Sequence, residues 1–189
     1  MKILKLLLTS FMLISPVFSQ TQSQIASENK GVSYQVNPEA PVETKQFGRL
    51  IGNWEAEVTP RNRDGSWPEK KIKAKWNWFY ILDGHAIQDN WIRIDSTGQQ
   101  QTVGTNIRIY NPDEKQWHMA WIDKTVRRLA IFTAVEEDGK LIMTGHEAGG
   151  RMARNTFYNF SENSFDWVKE WTNDDGKTWF EVSKIHCTR

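Results

Sequence analysis

Gly104 to Asp123, GTNIRIYNPDEKQWHMAWID, shows the pattern that dominates the chain. Apolar and polar positions alternate over Thr105–Tyr110 and again over Lys115–Ile122. Between them Asn111-Pro112-Asp113-Glu114 is turn chemistry, because proline presets φ and the Asn and Asp side chains bond their own backbone. A period of two marks a strand with one face in and one face out. Trp117, Met119 and Trp121 share one face of the second run, with Gln116, His118 and Ala120 on the other. Arg108 and Tyr110 share a face of the first. The hairpin therefore predicts a surface that carries an arginine and several large aromatics, and we expect that surface to be the inside of a barrel.

Before this hairpin, Pro41–Gly52 places Leu50 and Ile51 three and four residues after Phe47, which predicts a short amphipathic helix that Gly52 ends and that closes one end of the barrel. Beyond Gly52 the period changes to two. Strands are predicted at Asn53–Thr59, Ile72–Leu82 and Ala86–Ile94, with Asp83-Gly84 as a tight turn. Further strands follow at Leu129–Val135, Lys140–His146, Met152–Phe160, Phe165–Trp171 and Thr178–His186. About ten short strands with regular turn signals describe an all-β barrel or sandwich. Nothing between them is long enough for a crossover helix, so an up-and-down antiparallel barrel is the simplest topology; closure also removes exposed edges.

The first residues stand apart from this pattern. A basic start with Lys2 and Lys5, an apolar run from Leu6 to Phe18 and small residues before a cut after Ser19 read as a secretory signal peptide over 1–19. Residues 20–41, rich in Gln, Ser, Asn and Glu, read as a flexible lead-in, and 42–189 as one barrel domain. The expected location is secreted or periplasmic. Without Lys2 and Lys5 the formal charge of +1 becomes +1 − 2 = −1. A near-neutral chain gives no electrostatic reason to bind nucleic acid, nor, once the signal is cleaved, an anionic membrane. Lys71, Lys73 and Lys75 alternate with Ile72 and Ala74 and read as a solvated strand face. The single Cys187 has no internal partner and is expected to be buried. Oligomeric state is not legible.

Candidate chemistry follows from the same faces. Asp89, Arg108, Arg154 and Glu170 are charges inside strand patterns beside aromatic residues, where burial is unfavourable without a partner. They read as structural ion pairs or solvent-facing charges, or, for Arg108 or Arg154, as a fork that grips a ligand carboxylate from inside the lumen. Trp76, Trp78, Trp91, Trp117, Trp121 and Trp167, with Tyr110, would be the walls. Such sites are mostly apolar with a few placed polar groups. The four histidines are scattered, no nucleophile elbow or phosphate-binding loop is present, and the residues assign neither a metal nor a cofactor. Thr172–Trp179 resembles the Asp-box turn of sialidase-like propellers, but it occurs once and no blade-length repeat accompanies it, so the Asp and Gly residues are read as shaping a turn over Trp179.

Gly52-Asn53-Trp54 after a short helix is similar to the opening of calycin barrels. With Ile81–Asp89, Gly104–Pro112, Trp117–Trp121, Arg154–Phe157 and Asp174–Trp179, it resembles a family of bacterial lipocalin-like barrels of unknown function. The resemblance runs from about Phe47 onward and implies a calycin-type fold with no established activity. The reading is an exported barrel that binds a small hydrophobic or aromatic molecule, including one with a carboxylate. Three alternatives stay open: acid–base catalysis with Asp89, Glu170 or His118 as proton carrier, haem ligation by His186 or His118, and carbohydrate binding by exposed tryptophans.

Overall fold

The computed structural model describes residues 35–189; the expected signal peptide and residues 20–34 of the lead-in lie outside them. Ten strands follow one another as antiparallel neighbours: β1 (Gly52–Pro60), β2 (Ile72–Ile81), β3 (Ala86–Ile94), β4 (Gln100–Asn111), β5 (Gln116–Asp123), β6 (Arg128–Glu137), β7 (Lys140–His146), β8 (Met152–Tyr158), β9 (Ser164–Trp171) and β10 (Phe180–Thr188). β10 pairs back onto β1, from Glu55–Thr188 to Pro60–Ser183, so the sheet is a closed up-and-down barrel rather than a sandwich.

Alternation decides what faces in. Trp54 and Ala56 on β1 lie opposite Trp76 and Ala74 on β2, and all four are buried. On the outer side Glu55 and Glu57 meet Lys75 and Lys73 in register, and Lys71 and Lys75 bond Glu57 and Glu55 at 2.6 and 3.3 Å. The lysine run is a solvated face, and such exposed pairs contribute little. Cys187 is fully buried, and burial pushes its thiol far above the ordinary value.

The two ends differ. One is closed by α1 (Thr44–Gly48), shorter than the spacing predicts, because the chain tightens through Arg49 N to Lys45 O and Leu50 N to Phe47 O before β1 begins. A helix of this length is not stable alone. Burial holds it: Phe47 meets Trp117 and Phe157 edge to face, with centroids 4.9 and 5.7 Å apart, while Trp117 donates to Gln46 Oε1 at 2.9 Å. Fully burying a side chain of this size contributes about 1.5–3 kcal/mol. Arg49 pairs with Glu136 and covers the Phe160 ring. At the same end Asn37 N donates to Gly84 O at 3.2 Å and Asn37 Nδ2 to Asp83 O at 3.0 Å, so the chain is fastened before Pro41. Gly84 has φ +88°, and a Cβ there would lie 2.4 Å from Asn37 N, which restricts the position to glycine. The other end is ringed by the β1–β2, β3–β4, β5–β6, β7–β8 and β9–β10 connections and carries no helix among the described residues.

Candidate functional site

Phe47, Leu50, Trp78 and Trp117 fill the α1 half of the barrel, and an ion pair is set into that packing. Asp89 on β3 and Arg108 on β4 both point inward and are 0% and 1% exposed. Arg108 Nη2 donates to Asp89 Oδ2 at 2.5 Å, and Trp76 Nε1 to Asp89 Oδ1 at 2.6 Å. The guanidinium lies over the rings of Trp78 and Phe47, 4.2 and 4.8 Å from their centroids, which offsets part of its desolvation. Burial raises the Asp89 carboxyl above its ordinary range, against the pull of Arg108 and Trp76. The same burial lowers the Arg108 guanidinium from its very high ordinary value, and Asp89 opposes that shift.

Above this floor is a cavity of about 530 Å³. Its walls include the indoles of Trp76, Trp91, Trp121 and Trp167 and the rings of Phe132 and Phe157. Trp121 lies across Gly104, where a Cβ would come within 2.2 Å of its Cζ2, so the absent side chain is what admits the indole. Two amides reach in from nearly opposite walls, Asn106 on β4 and Asn155 on β8. Both are 5% exposed, and Asn106 Oδ1 accepts no hydrogen bond. Arg93, Asp123, Glu147 and Lys169 stand at the helix-free end. Lys169 pairs with Glu147. Asp123 accepts from Thr125 N at 2.7 Å and Thr125 Oγ1 at 2.5 Å. Burial pushes the Asp123 carboxyl up, but these donors and Val126 outweigh it and hold it below its ordinary range. Arg93 is exposed, and its side chain has no hydrogen bond or ion pair among the described residues.

The eleven residues singled out from the sequence divide three ways. Trp76, Trp91, Trp121 and Trp167 line the cavity. Asp89, Arg108, Trp78, Trp117 and Tyr110 also point inward but sit at the α1 end and are absent from its lining. The arginine expected to grip a ligand is thus occupied by Asp89 beneath the cavity. Arg154 and Glu170 are on the outside: Ala153, Asn155 and Phe157 take the inward positions of β8, so Arg154 faces out and bonds Glu170 through Nε and Nη2 at 2.7 and 2.9 Å. The remaining candidates are outside as well. His118, half-buried, bonds Glu114 at 2.9 Å, and His186, exposed, bonds Asp166 at 2.7 Å. Asn106, Asn155, Arg93 and Lys169 were not singled out. Asn106 shares the parity of Arg108 and Tyr110, and Lys169 that of Trp167, so alternation alone would have found both.

No family model matches this chain, and no curated protein matches it. Among solved structures, the S-type phycobiliprotein lyase CPES from Guillardia theta superimposes with a TM-score of 0.53 and 12% sequence identity, over 77% of this chain and 90% of that one. At this identity the likeness shows the fold alone, a lipocalin-like barrel of the calycin type.

Proposed function

We propose that the protein is an exported binding barrel whose cavity takes a small apolar or aromatic molecule. One observation carries the reading: an indole-walled space of about 530 Å³ persists above a fully packed floor. That volume lies within the range of small-molecule sites, and its lining combines aromatic walls with few polar groups, as such sites do. The likeness to a phycobiliprotein lyase supports a ligand-binding use of the same fold. Export rests on the basic and apolar start of the chain, and predicts a mature protein that begins at Gln20.

The alternatives find less support. Asp89 is locked to Arg108 and Trp76, Glu170 is bonded to Arg154 outside, and His118 is on the outer surface, so none is placed to move a proton inside the cavity. His186 and His118 face away from the lumen, where neither reaches a haem held inside. Tryptophans near the surface are covered by cations, Trp67 by Arg61 and Lys184 and Trp179 by Arg154, and so present no free stacking platform for a sugar.

The test is a fluorescence titration with N-phenyl-1-naphthylamine, a neutral aromatic probe. Saturable enhancement of its emission, with matching quenching of tryptophan, is expected. Replacing Trp121 with Ala should weaken it. Absence of saturable binding by the wild-type protein would sink the proposal.

A further inference from the structure

The polar groups around the cavity are more specific than its apolar walls. The Asn106 amide is 5% exposed, faces the cavity and leaves its Oδ1 without a donor. A buried carbonyl oxygen left unpaired is unfavourable, and a ligand N–H or O–H would relieve that. At the rim the charges are unevenly engaged. Lys169 is neutralised by Glu147, and Asp123 is held by its own turn. Of these four side chains, only that of Arg93 has no bond to a described residue. The lining therefore holds a buried acceptor with no donor, and the entrance a cation whose side chain bonds no described residue. Arg108, the other inward arginine, bonds Asp89 through Nη2, leaves Nε and Nη1 without a partner in the floor, and does not line the space.

Resting on the binding role proposed above, we infer that the ligand is an amphipathic acid. Its aromatic or apolar body lies between Trp91, Trp121 and Trp167. An N–H or O–H on that body donates to Asn106 Oδ1, and an anionic group reaches the Arg93 guanidinium at the mouth. Arginine suits that position, because its fork bonds a carboxylate or sulfonate at two points. The acid emerges at the entrance, so its charge stays partly hydrated and is not carried into the floor.

Three matched probes separate the claims. N-phenyl-1-naphthylamine is neutral and has an N–H. 5-Anilinonaphthalene-1-sulfonate keeps that skeleton and adds an anion remote from the N–H. 1-Benzylnaphthalene, followed by displacement of the amine, replaces the N–H by CH₂. The affinity ratio of the sulfonate to the amine should fall about fivefold in Arg93→Gln, the scale of one partly exposed ion pair. In the wild type it should also fall as salt rises toward 1 M, where screening is nearly complete. The ratio of the amine to the benzyl compound should fall to about one in Asn106→Leu. A sulfonate ratio that Arg93→Gln and salt both leave unchanged overturns the anionic assignment. Equal affinity for amine and benzyl compound in the wild type overturns the donor assignment. If no probe binds at all, the binding role itself fails, which is a different result from either.

Discussion

Arg108 and Asp89 show how one buried pair constrains the core. Each is charged, fully enclosed and bonded to the other, and Asp89 also takes the Trp76 indole N–H. Removing one partner strands the other charge away from water, which typically destabilises by about 3–5 kcal/mol. Arg108→Met and Asp89→Asn should each lose that much in urea unfolding, with little change in slope. The double variant removes both charges and should lose clearly less than the sum of the singles. Additive losses would show that the pair is not coupled. At Gly104 the expected outcome is different. A methyl group there collides with Trp121, so Gly104→Ala should cost about 1–3 kcal/mol and weaken amine-probe binding through displacement of a cavity wall. An inward arginine on β4 was legible from alternation. That it serves the floor was not, because its depth is set by Phe47 and Trp78, which lie far from it in sequence.

Turns at the helix-free end share one device. Asp64, Asp95, Asp123 and Asp174 each accept from a nearby Ser or Thr backbone N–H and hydroxyl, and each carboxyl is held below its ordinary value. Asp174 is lowered furthest, to about 2, by the Thr178 hydroxyl and amide and the Thr172 hydroxyl. A carboxyl depressed in the folded state adds stability that is present above its ordinary value of 3.8 and lost as pH falls through about 2. The Thr178 amide resonance should thus hold steady from neutral pH down to about 4, then move as the carboxylate protonates. In Asp174→Asn that movement should vanish. The Asp174 turn was legible because its chemistry is local. The outward placement of Arg154 and Glu170 was also within reach: Ala153 and Phe157 share one parity of β8, and Phe165, Trp167 and Trp171 share one of β9. On β6 the pattern was ambiguous, since Leu129 and Ile131 are exposed beside buried Ala130 and Phe132. The length of α1 was not legible, because tertiary packing and not propensity holds that helix.

Across the whole molecule the division between packed floor and open cavity is what links fold to role. Alternation tells which side chains point inward, but not at what height along the barrel axis they lie. Height follows from strand register and from where α1 docks, so Trp117 ends in the core and Trp121, four residues on, walls the cavity. The two halves should respond oppositely to volume. Phe47→Ala empties a fully buried site in the floor and should cost about 3–5 kcal/mol. Ala130, the cross-strand neighbour of Trp121, lines the cavity, so a larger side chain there extends into that space. Ala130→Phe should therefore leave stability within about 1 kcal/mol of wild type, since it adds apolar contact without overpacking. The same change should weaken amine-probe binding at least about tenfold, the ordinary exchange of function for stability at a binding site. Calorimetric unfolding and probe titration on the one variant measure both. A protein that loses stability yet keeps full affinity would show that this space is filled in solution and that ligands bind elsewhere.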